Sequence, residues 1–180
     1  MIGLPEKAIK VYEELVNRFP QSPFLPKAIL NNGLILYNQE KLVDAQELLR
    51  NLIINNPKDG IAKQALGTLK EISIDLDSVS EFTSWLKKYE IDAYTDNELE
   101  KTAFAAAEKQ FLSNRKKQAK KSFLSYLDAY PNGFNAIASK FTLAEIYIEE
   151  YNYDEALNFY TEVIKEGSNE YREEALVKAS

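Results

Sequence analysis

The chain has 180 residues, 45% of them apolar and 12% aromatic, with six glycines and six prolines. This is enough apolar mass for a substantial core and too little turn chemistry for a loop-rich β fold. Cysteine and histidine are absent, which excludes disulfides, thiol nucleophiles, imidazole bases and every Ser–His or Cys–His pair. A net charge of −6 repels a nucleic-acid backbone at long range, and no apolar run approaches the roughly 20 residues that span a bilayer.

Apolar residues step at helical intervals along the chain, as in Val11, Leu15 and Phe19, in Leu48 and Leu52, and in Phe123 and Leu127. Turn residues separate these stretches: Phe19-Pro20-Gln21-Ser22-Pro23, Asn55-Asn56-Pro57, Pro131-Asn132-Gly133 and Gly167-Ser168-Asn169. Shorter breaks fall near Asn38–Lys41, Asp75–Asp77, Ser113–Asn114 and Asn152–Asp154. The pattern predicts helices over 5–18, 24–38, 41–55, 60–74, 77–89, 97–112, 116–130, 135–150, 153–166 and from 170 onward.

One period runs through them. Ala8, Ala45, Ala119 and Ala156 are separated by 37, 74 and 37 residues, and Pro20, Pro57 and Pro131 by 37 and 74. Tyr12, Leu49, Leu86, Phe123 and Tyr160 follow the same spacing, four places after the small position. A period that holds at small, aromatic and proline positions together means stacked copies of one supersecondary unit. The small residues are paired at a separation of 12: Gly33 with Ala45, Ala107 with Ala119, and Ala144 with Ala156. Two helices that cross where only a small side chain fits would produce this pairing.

The run Leu143-Ala144-Glu145-Ile146-Tyr147, followed by Tyr151-Asn152-Tyr153-Asp154-Glu155-Ala156 and Phe159-Tyr160, resembles the tetratricopeptide repeat. The resemblance implies an all-α fold, a right-handed superhelix of antiparallel helix pairs. It divides the chain into a partial repeat at 1–22 holding only a second helix, repeats at 23–59, 60–96, 97–133 and 134–169, and a truncated repeat at 170–180. The repeat at 60–96 is degenerate, because Lys70 and Phe82 stand at the two small positions; its helices are expected to pack loosely, with Trp85 filling space. The period of 37 rather than 34 places three extra residues in proline-bearing turns, a style similar to that of bacterial cell-envelope arrays. A periplasmic or envelope location follows from that similarity. Half-repeats at both ends read as a segment of a longer array, with apolar ends open to homodimerisation.

In this family the first helix of each pair lines a concave groove. The register then aligns Glu71, Glu108 and Glu145, with Leu34 in the first repeat. Phe104 and Phe141 precede them by four places, and Phe111 and Ile148 follow by three. This acidic and aromatic groove implies a protein or peptide partner, basic or amphipathic, with carboxylates for steering and rings as anchors. Two other readings of these residues stay open: solvated or lysine-paired glutamates, and phenylalanines packing between repeats. The family's chaperone clamp needs Lys, Asn and Arg where this chain has Leu30, Leu34, Phe104 and Phe141, with Asn31 the only residue of suitable type. The basic run Arg115, Lys116, Lys117, Lys120 and Lys121 starts a second-type helix and reads as a solvated face, without an aromatic platform for bases. No phosphate loop, Ser-x-x-Lys or metal-ligand spacing occurs. The chain therefore reads as non-enzymatic, with no cofactor or metal, and as an interaction scaffold or, alternatively, an architectural spacer.

Overall fold

The computed structural model describes residues 7, 10–12, 14–15, 18–57 and 60–180, and among these there is no strand. The helices are α1 (Leu25–Asn38), α2 (Leu42–Asn55), α3 (Gly60–Asp75), α4 (Val79–Lys88), α5 (Asp96–Leu112), α6 (Lys116–Ala129), α7 (Ala136–Glu149), α8 (Tyr153–Lys165) and α9 (Arg172–Lys178). Among the described residues the architecture is all-α, built of helix pairs. The predicted helix over 5–18 lies partly outside the described residues, as does Ala8; Lys7, Tyr12 and Leu15 are helical. The helices form two compact units, residues 1–93 and 94–180.

In the first unit α1 opens with Pro26 in its first turn, where a missing N–H removes no helical bond. Asp44 complements the start of α2. The two helices cross at Gly33, where a Cβ would stand 2.6 Å from Leu49 Cδ2. Ala45 and Leu49 are fully buried at the crossing, and α3 packs on both helices. Between α3 and α4 the packing is much sparser than between α1 and α2. Phe82, fully buried, stands where α2 has Ala45, and a ring in place of a methyl props two helices apart. Trp85 is also buried. It stacks on Phe82 with centroids 6.3 Å apart, tilts against Tyr89 at 5.7 Å, and carries the Arg50 guanidinium 5.5 Å above its ring. Arg50 also donates to Glu81 at 2.8 Å, so a cation and aromatic rings fill the space a tight crossing leaves elsewhere.

The second unit begins with a capping box. Thr95 Oγ1 accepts the Glu98 N–H at 3.3 Å, and Glu98 Oε2 accepts the Thr95 N–H at 2.8 Å, which satisfies two end donors of α5. α5 and α6 meet at Ala107 and Ala119, and α7 and α8 at Ala144 and Ala156, all with no exposed surface. Phe123 and Tyr160 fill the adjacent space in two successive clusters. α9 closes on α8 with Ala175 fully buried.

The turns inside the pairs repeat more strictly than the side chains. Glu40, Asp77, Asn114 and Tyr151 are all left-handed, with φ of 60°, 53°, 57° and 59°, and they are spaced by 37 residues each. In every case the next residue's N–H bonds back five places: Lys41 to Leu36 O at 3.0 Å, Ser78 to Ser73 O at 2.8 Å, Arg115 to Gln110 O at 2.9 Å, and Asn152 to Tyr147 O at 2.9 Å. These are Schellman turns, made without glycine at a cost of about 1 kcal/mol each. The loosely packed α3–α4 pair keeps the same turn.

Two glycines test the close crossing with opposite signs. Gly33→Ala is expected to lower the unfolding free energy by about 1–3 kcal/mol, because Leu49 is buried and has nowhere to move. Gly67→Ala, in α3 with nothing within 4 Å of a new Cβ, is expected to raise it by about 0.5–1 kcal/mol through helix propensity alone. Urea denaturation followed by circular dichroism reads both; equal effects would refute the crossing argument.

Candidate partner-binding face

Six of the seven groove residues lie in the second unit: Phe104, Glu108 and Phe111 on α5, and Phe141, Glu145 and Ile148 on α7. Spacing of i, i+4 sets Phe104 with Glu108, and Phe141 with Glu145, on one strip of each helix. Glu71 belongs to α3 of the first unit, where its carboxylate is 3.6 Å from the Lys70 ammonium.

The rings are half-buried and serve the core as well as the face. Phe104 meets Phe123 edge-on at 6.0 Å and Tyr126 at 5.8 Å, and Phe111 meets Phe123 at 6.4 Å. Phe141 meets Tyr160 at 5.8 Å and Tyr171 at 5.0 Å. The Phe141–Tyr171 pair is tilted at 31°, and the others are edge contacts, each worth about 0.5–1.5 kcal/mol beyond area burial. Ile148 is 37% exposed.

The two carboxylates differ. Glu145 accepts the Tyr160 hydroxyl and pairs with Lys178 at 2.7 Å, and the Lys178 ammonium sits 5.6 Å from the Phe141 ring centroid. Glu108 is exposed, with no ion pair or hydrogen bond among the described residues. Its charge reaches Tyr171, whose phenol is pushed above 10.0 by burial, then by Glu170, then by Glu108.

Sequence reasoning missed a second carboxylate, Glu100. It accepts the Tyr126 hydroxyl at 2.8 Å and the Phe134 N–H at 2.6 Å, while Tyr126 Oη accepts the Asn135 N–H at 3.1 Å. The α6–α7 turn is thus fastened to α5. Gly133 permits this, since a Cβ there would stand 2.5 Å from Tyr126 Oη. The basic run is partly spent on the same stacking: Lys116 pairs with Glu149 and Lys120 with Glu150, and Lys120 lies 5.0 Å from the Tyr147 centroid. Lys117 and Lys121 stay exposed. Among the described residues no three carboxylates converge as a metal site, and no helix is long and apolar enough to cross a membrane.

These contacts set an alkaline limit. Burial, then hydrogen bonding to Glu100, raises the Tyr126 phenol, and burial, then Glu145, raises that of Tyr160. Lys140 is raised as well: burial lowers it, but hydrogen bonds to Glu162 and Glu166 outweigh that. Groups raised in the fold stabilise it fully below their unfolded values and lose that contribution as pH climbs. The urea midpoint is therefore expected to hold from pH 7 to 9 and to fall above 10. Tyr126→Phe should lower the unfolding free energy by about 1–2 kcal/mol at pH 8 and flatten the alkaline decline; an unchanged decline would remove Tyr126 as a cause.

A sequence model of the family described as tetratricopeptide repeat matches residues 1–22. No curated protein matches the chain. Among solved structures, MamA from Desulfovibrio magneticus is 13% identical over 91% of this chain and 85% of its own, at a TM-score of 0.42. A tetratricopeptide repeat protein from Parabacteroides merdae is 14% identical over 97% of this chain and 64% of its own, at 0.41. YrrB, described as having an unusual peptide-binding site, is 13% identical over 96% and 81%, at 0.40. The match to the tetratricopeptide repeat model is confined to residues 1–22, and the helix pairs with small-residue crossings that follow are similar to that repeat in architecture.

Proposed function

We propose that the second unit binds a basic or amphipathic protein segment along the face of α5 and α7. One observation carries this reading: Glu108 is an exposed carboxylate with no ion pair or hydrogen bond among the described residues, on the same strip as the half-buried Phe104. A carboxylate beside an aromatic ring attracts a cation at long range and offers apolar contact on arrival. Phe111 and Ile148 extend the apolar border, and Glu71 repeats the acidic register in the first unit.

A second reading is an architectural spacer inside a larger envelope-associated protein. Glu145 and Phe141 favour it, because Tyr160, Tyr171 and Lys178 already occupy them. The envelope setting rests on the proline-bearing turns at 19–23 and 131–133.

A photo-crosslinking side chain placed at position 108 or 148 tests the groove against position 117 on the other helix of the pair. Crosslinks from 108 and 148 onto Lys- or Arg-rich segments, with none from 117, are the expected result. Equal crosslinking from 117, or none from 108, would leave the spacer. In that case removing residues 97–133 impairs the parent protein while substitutions at 108 and 148 do not.

A further inference from the structure

Resting on the groove reading, the geometry points to the Phe104–Glu108 strip of α5 as a receptor for one lysine side chain of the partner. The molecule already contains a filled copy of this receptor. On α7 the Lys178 ammonium stands 2.7 Å from Glu145 Oε2 and 5.6 Å from the Phe141 centroid, so one cation is read by a carboxylate and a ring together.

Phe104 and Glu108 are the residues 37 places earlier, and their ring is held in the same way. Phe104 lies 6.0 Å from Phe123 at 60°, and Phe141 lies 5.8 Å from Tyr160 at 62°; Phe123 and Tyr160 are themselves 37 apart. Two differences leave the α5 copy unfilled. Phe123 lacks the hydroxyl that Tyr160 gives to Glu145, so Glu108 receives no internal donor. The residue in the register of Lys178 is Phe141, which supplies an apolar wall and no charge. No described residue pairs with Glu108, and the proposed cation is a lysine of another molecule.

The probe is the peptide acetyl-Gly-Leu-Lys-Leu-Gly-amide, titrated into the full 180-residue chain and followed by amide chemical shifts. Binding is expected to shift the amides around Phe104 and Glu108 and to weaken about tenfold when the peptide lysine becomes norleucine or when Glu108 becomes Gln. Glu108 is exposed, so Glu108→Gln keeps the fold. Lys178→Met should empty the α7 receptor and add shifts around Glu145 at similar peptide concentrations. Binding on α5 and α7 that ignores both the norleucine and Glu108→Gln changes overturns the lysine receptor and leaves the groove reading intact. Absence of saturable binding, or a Lys178→Met chain that gains nothing at Glu145, also overturns the receptor; the groove reading is judged separately by the crosslinks from positions 108 and 148.

Discussion

The three tight helix pairs depend on two helices coming close enough that no side chain larger than a methyl fits between them. Gly33 leaves less than a methyl's room against Leu49, and Ala107, Ala119, Ala144 and Ala156 have no exposed surface. Close approach does not by itself supply much burial energy. It fixes the distance and angle of each pair, and so decides which larger neighbours meet. Phe123 and Tyr160 sit beside the alanines and present edges to Phe104 and Phe141. Where the small residue is lost, at Phe82, the pair opens, and Trp85 and Arg50 take up the space.

The same geometry creates the candidate face. Phe104 and Phe141 are held by the second helix of their own pair, so their rings are rigid before any partner arrives, which reduces the ordering cost of binding. The glutamates one turn further are held less tightly. Two contacts separate their fates: the Tyr160 hydroxyl and the Lys178 ammonium engage Glu145, while Phe123 and Phe141 stand at the matching positions for Glu108. An array built from copies can therefore engage one register position internally in one repeat and leave it exposed in the next.

Much of this was legible in the sequence. The spacing of Ala45, Ala119 and Ala156 exposed the pairs, and Lys70 with Phe82 exposed the loose one, because volume at a crossing is written directly in residue size. Three features were not legible. The left-handed turns at Glu40, Asp77, Asn114 and Tyr151 use four unlike residues, since backbone hydrogen bonds hold the turn and no side chain signals it. The Glu100–Tyr126 fastening joins residues 26 apart through a loop whose path the sequence does not give. The difference between Glu108 and Glu145 needed the position of Lys178, a contact across 33 residues.

The capping box at Thr95 and Glu98 has a consequence for how the chain acquires its shape. It satisfies two of the opening donors of α5 from within four consecutive residues, so this helix start is fixed by local bonds. Most packing beyond it joins helices adjacent in sequence, the low contact order that speeds folding. Residues 94–180 thus carry their own starting point, and ordering can spread from Thr95 toward the C-terminus while the preceding helices are still assembling.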